Sequence, residues 1–208
     1  MKVSASFLSS NNIPKDLVKL NDTDVDYIHV DIMDGKFVSN KTMPFSQMRH
    51  IYKYTSKRLD VHLMVEDPFD YIKNYAELNT EYITIHVEID NVNTYIKQIR
   101  DYSIKVGLAI SPDTEISELV PYLPFIDLIL IMSVVPGKGG QQFIEKSSER
   151  VKEVKRLLNS YDFNNIIVNV DGGINNETVK LCKDADMVTS GSYIINSNDF
   201  QLKIDSLR

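Results

Sequence analysis

The sequence contains the stretch Ile28-His29-Val30-Asp31-Ile32-Met33-Asp34-Gly35, in which apolar β-branched residues alternate with residues of other kinds. This pattern predicts a β-strand, and because neighbouring side chains of a strand point to opposite faces, His29, Asp31 and Met33 share one face. A second stretch, Asp60-Val61-His62-Leu63-Met64, repeats the same three kinds of side chain. Imidazoles and carboxylates on one side of two strands are costly to bury without a partner. A divalent metal ion would satisfy them.

Eight short apolar runs recur along the chain, each followed by a segment of helix length. The predicted strands are Val3–Leu8, Asp26–Met33, Leu59–Val65, Tyr82–Glu88, Lys105–Ser111, Leu128–Val134, Ile166–Asp171 and Met187–Ile194. Strands that alternate with helices predict a parallel sheet with right-handed crossovers. Eight such units in 208 residues favour an α/β fold of the (β/α)8 type, a TIM barrel, over an open doubly wound sheet.

Helix signals lie between these runs. Pro14 and Asp67-Pro68 stand where the missing N–H of proline costs nothing at the start of a helix. Asp90-Asn91 offers a cap for another helix, and Ser111-Pro112-Asp113-Thr114 leads into the next. The segment from Gln141 to Leu158 has apolar residues at helical spacing with Glu and Lys between them, which predicts a helix.

The composition limits the function classes. No stretch rich in Pro, Gly or Ser divides the chain, so we expect one domain over residues 1–208. The net charge of -6 argues against a nucleic-acid partner but allows a small phosphorylated ligand in a local pocket. A single cysteine, Cys182, fits a reducing compartment. No run approaches the length of a membrane span or signal-peptide core, so the sequence predicts a cytoplasmic protein without a membrane partner.

Four polar residues at predicted strand ends form the candidate metal set, namely His29, Asp31, His62 and Asp171. In barrels of this kind the active site lies at the C-terminal ends of the strands. Two imidazoles and two carboxylates suit zinc, with iron(II), manganese or cobalt as alternatives. These residues taken singly are also consistent with core polar groups that hydrogen-bond to one another. Their gathering at strand ends favours a site.

Asp31 and Asp171 also form the candidate pair for proton transfer. They come from predicted strands two and seven, which lie well apart around the barrel, so their carboxylates can face opposite sides of a bound carbon. One carboxylate would remove a proton beside a carbonyl, and the other, protonated, would return one to the opposite face. Metal coordination weakens a carboxylate as a base, whereas two neighbouring carboxylates raise each other's pKa. The sequence leaves that balance open.

Phosphate has its own signature in Val135-Pro136-Gly137-Lys138-Gly139-Gly140-Gln141. Glycines let backbone N–H groups approach an anion, and we expect the following helix to present its N-terminus there. Asp171-Gly172-Gly173 and Ser190-Gly191-Ser192 repeat the pattern at strands seven and eight. Of the eight glycines in the chain, seven fall at Gly35 or in these three loops, which favours a phosphate site over ordinary turns.

Together these motifs resemble the ribulose-phosphate 3-epimerase family. The resemblance is carried, in order along the chain, by His29–Gly35, Asp60–Val65, Met132–Gln141, Val170–Ile174 and Ser190–Ser192. It implies a metal-dependent (β/α)8 barrel that interconverts D-ribulose 5-phosphate and D-xylulose 5-phosphate in the pentose phosphate pathway. It also implies self-association into a homo-oligomer.

The resemblance further implies residue roles. Asp31 would be the base and Asp171 the acid in the ribulose-to-xylulose direction, with the roles exchanged in reverse, and the four-residue set above would hold one divalent ion. Ser6, His62 and Asp171 would contact the sugar. The phosphate end would be lined by Gly137, Lys138, Gly139, Gly140, Gly172, Gly173, Gly191 and Ser192. The methionines over the reacting carbons would be Met33, Met64 and Met132, although methionines at strand ends also serve as core filler.

Two positions depart from the family pattern. Lys138 stands where an aromatic residue is usual. Its side chain either adds charge to the phosphate site or points to solvent, and we expect the second. Ser39 replaces a usual proline in the loop after strand two, which predicts a looser lid over the substrate. Neither departure removes a metal ligand or a catalytic carboxylate.

Alternative functions keep part of this pattern. An epimerase for a six-carbon ketose phosphate, such as allulose 6-phosphate, would use the same ligands and acid–base pair. A phosphate-binding barrel that acts as a lyase, a synthase or a sensor would need neither the metal ligands nor the acid–base pair.

His86 and Glu88 alternate on strand four but have no complementary ligands on strand five, so we interpret them as barrel-lining residues. Asp34 is expected in a tight turn, and Asp60 is expected to hydrogen-bond below His62.

Overall fold

The structure, a computed structural model, describes residues 1–208 as a closed barrel of eight parallel strands. Each strand pairs with its sequence neighbours, and the first strand pairs with the last. The strands are β1 (Lys2–Ser6), β2 (Tyr27–Met33), β3 (Leu59–Met64), β4 (Thr80–His86), β5 (Lys105–Ile110), β6 (Leu128–Met132), β7 (Ile167–Asp171) and β8 (Met187–Ser190). The predicted (β/α)8 barrel is therefore confirmed.

Helical segments connect the strands. The α-helices are α1 (Ile13–Asn21), α2 (Phe45–Met48), α3 (Phe69–Ala76), α4 (Val92–Asp101), α5 (Ser147–Ser160), α6 (Ser192–Ile195) and α7 (Phe200–Asp205). Three 3-10 helices span Ile51–Lys53, Ile116–Phe125 and Thr178–Cys182. Pro14 lies in the first turn of α1, as predicted, and Asn91 directly precedes α4. None of the helices has both the length and the apolar character needed to cross a membrane.

The core consists of two apolar regions separated by the barrel wall. The larger, of 47 buried residues, fills the space between strands and helices. The smaller, of eight, includes Tyr27, Tyr82, Leu128 and Met187, whose side chains point inward because they alternate with the outward ones. The rings of Tyr27 and Tyr82 meet edge to face with centroids 5.6 Å apart. This apolar floor lies on the N-terminal side of the inward-facing histidines and aspartates, which leaves the polar side chains at the C-terminal end of the barrel.

The last predicted strand, Met187–Ile194, was too long. β8 ends at Ser190, and the following apolar residues belong to α6, which buries Ile194 and Ile195. A short apolar run has the same composition in a buried strand and in a buried helix, so periodicity does not separate them. The first predicted strand likewise ends early, at Ser6.

The helix predicted from Gln141 begins only at Ser147. The intervening residues pack on strand ends instead: the Ile144 N–H donates to the carbonyl oxygen of Ser133 at 2.8 Å. The N-terminus of α5 therefore does not follow the glycine loop directly, and the predicted start of this helix at Gln141 was wrong. After Ser111–Thr114 the chain forms a 3-10 helix that contains two prolines, which lack the N–H groups that an α-helix requires.

Candidate active site

The structure brings together the four candidate metal ligands at the C-terminal end of the barrel. One ligand atom from each of His29, Asp31, His62 and Asp171 lies within 4.8 Å of the others. His29 Nε2 is 3.3 Å from Asp31 Oδ1 and 3.6 Å from Asp171 Oδ2, and His62 Nδ1 is 3.2 and 3.7 Å from the same two oxygens. Bonds of about 2.0–2.2 Å to a tetrahedral ion place neighbouring ligands about 3.3–3.6 Å apart. The observed spacing therefore suits a metal ion.

The surroundings of His29 support this fit. Its Nδ1 lies 2.8 Å from Asp60 Oδ2, and the hydroxyl of Ser4 donates to the same oxygen at 2.8 Å. Its Nε2 is buried and has no hydrogen-bond partner, which is costly for a polar atom inside a protein. A carboxylate behind a metal-binding histidine is a common arrangement, since it orients the ring toward the metal. The donor set therefore fits a divalent cation, and Asp60 forms the hydrogen bond predicted for it.

His62 is supported through a second histidine. Its Nε2 lies 2.9 Å from Nε2 of His86, whose Nδ1 lies 2.8 Å from Oε2 of Glu88. Both histidines are fully buried, and burial lowers the pKa of His86 to about 4. His86 ends β4 and is buried inside the barrel, as interpreted, but Glu88 lies beyond the end of the strand and is exposed, so its interpretation as a barrel-lining residue was wrong. The contact between His86 and His62 was not predicted. The strand register is the feature that could have predicted this contact. His62 pairs with Thr84, and His86 is the next inward-facing residue of β4 toward its C-terminal end.

The two candidate catalytic carboxylates differ in pKa. Burial disfavours the charged form of Asp31, but His29 and His62 beside it hold its pKa well below the ordinary range. The Ser6 hydroxyl also donates to Asp31 Oδ2 at 2.8 Å. The pKa of Asp171 is raised to about 7, chiefly by burial; the charge of His29 opposes this shift, and the charge of Asp31 adds to it. Without a metal ion, the two carboxyl groups thus have pKa values shifted in opposite directions.

A pocket lies above this cluster, at the C-terminal mouth of the barrel. His29 and His62 are fully buried and do not line it, although His62 was expected to contact the sugar. Lys138, an exposed residue, is the one lysine or arginine on the pocket wall. The predicted site residues that line the pocket are Ser6, Asp31, Met33, Met64, Met132, Gly137, Lys138, Gly139, Gly140, Asp171, Gly172, Gly173, Gly191 and Ser192. Residues that line it without having been predicted include Ser9, Gln141 and Thr189.

Glycine is required at the end of β7. Gly172 has φ +119° and a Cβ there would lie 2.5 Å from a methyl group of Val134, while at Gly173 it would lie 2.5 Å from the backbone nitrogen of Phe143. The Ser133 hydroxyl holds this turn by donating to the carbonyl oxygens of Asp171 and Gly172, at 2.8 and 2.6 Å. Backbone therefore borders the pocket where the sequence predicted a phosphate site.

The loop after β2 extends to the glycine loop that borders the pocket. Asp34 accepts hydrogen bonds from the N–H groups of Lys36, Phe37 and Glu66, which confirms the predicted turn. The side-chain amide of Asn40 donates to the carbonyl oxygen of Gly137 at 2.6 Å. This lid loop is thus joined to the glycine loop after β6, and the looser lid expected from Ser39 stays a prediction.

Comparison with known proteins identifies the family. The model of the "Ribulose-phosphate 3 epimerase family" matches residues 2–195. This chain belongs to that family. The ribulose-phosphate 3-epimerase of Bacillus subtilis (strain 168) is 33% identical over 99% of this chain and 95% of its own length. The enzyme of the same name from Helicobacter pylori (strain J99) is 34% identical over 100% of this chain and 97% of its own. Membership makes the chain an isomerase of the epimerase kind.

Solved structures agree on the fold. The 3-hexulose-6-phosphate synthase of Salmonella typhimurium matches with a TM-score of 0.70 and 18% identity, covering 100% of this chain and 96% of that one. N-(5'-phosphoribosyl)anthranilate isomerase from Pyrococcus furiosus matches with a TM-score of 0.63 and 16% identity, covering 100% and 96%. At this level of identity the likeness shows the shared barrel alone.

Proposed function

We propose that the protein interconverts D-ribulose 5-phosphate and D-xylulose 5-phosphate by proton transfer at carbon 3. The observation that carries the proposal is the pair Asp31 and Asp171, which meet in one cluster with pKa values shifted in opposite directions. Pairs of carboxyl groups whose surroundings separate their pKa values in this way divide the roles of base and acid between them. Membership of a family named for ribulose phosphate supports the substrate.

The proton transfers follow from these charge states. Asp31, ionised, accepts the proton from carbon 3 of the ribulose form, and the electron pair left behind delocalises into the neighbouring carbonyl as an enediolate. Asp171, protonated, delivers its proton to the opposite face of the same carbon, which inverts it. The two carboxyl groups then hold exchanged charge states, so the reverse reaction starts with Asp171 as the base. The Ser6 hydroxyl, which donates to Asp31, keeps that carboxylate oriented.

The candidate ligands of a divalent ion are His29, Asp31, His62 and Asp171, and the mixed nitrogen and oxygen set favours zinc, with iron(II), manganese or cobalt as alternatives. When bound, such an ion would act as a Lewis acid that stabilises the negative charge of the enediolate. The residues themselves hold the site: Asp60 orients His29, and His86 contacts His62.

Three methionines and a glycine-rich rim complete the pocket. Met33, Met64 and Met132 are each at most 4% exposed and line the pocket beside the two aspartates, so they would keep water from the enediolate. The loops after β6, β7 and β8 supply backbone that can approach a phosphate, and Lys138 adds a positive charge at that rim. A sugar phosphate would therefore lie with its reacting carbons over the aspartates and its phosphate toward these loops.

The test is an NMR time course of metal-loaded protein with D-ribulose 5-phosphate in deuterium oxide. We expect xylulose 5-phosphate to appear with deuterium at carbon 3, because the acid that reprotonates that carbon has exchanged with solvent. Product without deuterium would contradict the two-carboxylate route. An unchanged pentose phosphate, together with turnover of allulose 6-phosphate, would replace the proposed substrate with a six-carbon ketose phosphate.

A further inference from the structure

We infer that Glu88 and His86 are positioning residues that keep a hydrogen on Nε2 of His62 and so make its Nδ1 the nitrogen that binds metal. The inference rests on the metal site of the proposed function. His86 and Glu88 are absent from the pocket wall, so they act here neither as metal ligands nor as acid–base residues.

The chain of hydrogen bonds starts at Glu88. Its Oε1 accepts from the backbone N–H of Ser111 at 2.7 Å and from the hydroxyl of Thr114 at 2.6 Å. Its Oε2 lies 2.8 Å from His86 Nδ1. An ionised carboxylate has no hydrogen to give, so His86 Nδ1 must be the donor in that contact.

The consequence passes to His62. A neutral imidazole carries one hydrogen, so His86, having it on Nδ1, offers Nε2 as an acceptor. His62 Nε2, 2.9 Å away, must then be the donor. The remaining nitrogen of His62, Nδ1, lies 3.2 Å from Asp31 Oδ1 and 3.7 Å from Asp171 Oδ2, inside the ligand cluster. Nδ1 is therefore the nitrogen whose lone pair is free to bind a metal ion, while Nε2 keeps the hydrogen.

Two further contacts hold this chain in place. Arg150 of α5 donates from one terminal nitrogen to the carbonyl oxygens of Ser111 and Thr114, at 3.2 and 2.7 Å, and so fixes the turn that binds Glu88. The ring of Phe37, from the lid loop, packs on His86 with centroids 4.6 Å apart. These contacts fix the turn beside Glu88 and cover the ring of the buried His86, which favours a single hydrogen arrangement along the path.

Glu88→Gln tests the inference because the geometry dictates how the amide must sit. Ser111 N–H and the Thr114 hydroxyl need an acceptor, so they take the amide oxygen, and the NH2 group faces His86 Nδ1. That reverses the chain: His86 donates from Nε2, His62 accepts at Nε2, and the hydrogen of His62 moves to Nδ1. Loss of such outer partners weakens metal binding by about 10–100-fold, and we expect a Zn2+ Kd raised by that factor, measured by chelator competition.

A matched control lies at the other end of the same strand. Glu81 of β4 pairs with Lys105 and Arg58 on the outside of the barrel, far from the pocket. Glu81→Gln makes the same chemical change on β4 without touching the histidines. We expect its Zn2+ Kd to match that of the unchanged protein, so an equal loss in both variants would overturn the inference.

The 15N NMR shifts of the His62 ring give a readout that a general loss of structure would not produce. In the unchanged, metal-free protein we expect Nε2 to carry the hydrogen, and in Glu88→Gln we expect Nε2 to lose it. A bare Nε2 in the unchanged protein overturns the inference even if the variant fails to fold. If the unchanged protein binds no Zn2+, the proposed metal site fails, and the ring shifts still decide the hydrogen arrangement separately.

Discussion

Asp31 and Asp171 are the same kind of residue in one cluster, yet they lie on two differently built sides of the pocket. Asp31, on β2, accepts a hydrogen bond from Ser6 at 2.8 Å and lies 3.2 Å from His62 Nδ1. No hydrogen bond reaches the side chain of Asp171, on β7, and its two nearest histidine nitrogens lie 3.6 and 3.7 Å away. The neighbouring histidines lower the pKa of the first carboxyl group, whereas burial without hydrogen-bond donors raises the pKa of the second.

The difference extends beyond the two carboxyl groups. The β2–β3 side is built from side chains that converge on one point, an arrangement that suits a cation. The β6–β8 side is built from backbone: glycines at positions 172 and 173 exclude side chains, and Ser133 holds the turn. Such a surface suits an anion. Under the proposed function, the place where charge would develop is therefore separate from the place where the phosphate would be held.

The largest effect is expected at Asp171. Asp171→Asn keeps the size of the side chain but removes the carboxyl proton that would be delivered to carbon 3. Turnover of D-ribulose 5-phosphate should therefore fall by about 10²–10⁴-fold, the usual contribution of an acid–base group. Steady-state kinetics and the metal content of the same sample would measure it. Asp101→Asn, on the exposed surface of α4, is the control. Near-normal turnover in Asp171→Asn would remove Asp171 from the mechanism.

The next effect belongs to the β2–β3 side. His62→Ala deletes one of the four ligand atoms. Loss of a residue that only hydrogen-bonds to a metal ligand weakens binding by about 10–100-fold, and we expect His62→Ala to weaken Zn2+ binding by more than this. Elemental analysis after dialysis would report the loss of bound metal. His50→Ala removes the one histidine that is exposed and lies outside the cluster, and it should keep the full stoichiometry. Equal metal content in the two variants would contradict the role of His62.

The architecture and the identity of the cluster could be predicted from the sequence because both follow from strand alternation. Once β2 and β3 pair in register, with Asp31 opposite His62, their inward side chains have to meet. The contact between His62 and His86 was not predicted, since it depends on which positions of β3 and β4 face each other. A shift at the start of β3 alters that register, and no sequence pattern marks it.

The difference in pKa between the two aspartates could not be predicted from the sequence, for a different reason. Asp31 and Asp171 both follow apolar strand residues, and both were expected to coordinate a metal. Their difference depends on distances of a few tenths of an ångström to His29 and His62 and on one hydroxyl, that of Ser6. The late start of α5 was missed because residues 141–146 satisfy their backbone groups on strand ends far away in sequence.

The opposite pKa shifts also predict how stability varies with pH. Folded Asp171 keeps its proton up to about pH 7, whereas the unfolded chain loses it near the ordinary value of 3.8. At this residue the folded state then binds more protons between these values, so the contribution of Asp171 to the free energy of unfolding of the metal-free protein should fall as the pH rises from 4 to 6, by at most about 1.4 kcal/mol per pH unit. His86, whose pKa burial lowers to about 4, contributes a slope of the opposite sign over the same range, so the contribution of Asp171 is read as the difference between the unchanged protein and an Asp171 variant. Asp31, with its lowered pKa, contributes a rising slope below about pH 5.

Urea denaturation of the metal-free protein at several pH values would measure this slope. Asp171→Asn has no titrating group at that position and lacks this falling contribution, so its free energy of unfolding should have a more positive slope between pH 4 and 6 than that of the unchanged protein, while the Asp101→Asn control should keep the original slope. An unchanged slope in Asp171→Asn would mean that Asp171 is ionised in the folded protein, and the contrast between the two sides of the pocket would be lost.

The smallest effect is expected on the phosphate side, at Lys138. This lysine is exposed, so its attraction to a phosphate is screened by water and by salt and is of the order found for surface ion pairs, about 0.2–1 kcal/mol. Lys138→Ala should therefore raise KM for D-ribulose 5-phosphate by about 2–5-fold at low salt, with kcat unchanged, and added salt should reduce the difference. Lys146→Ala, a nearby exposed lysine outside the pocket, is the matched control. A KM that is equal in both variants would place the Lys138 side chain in solvent and leave backbone groups alone to hold the phosphate.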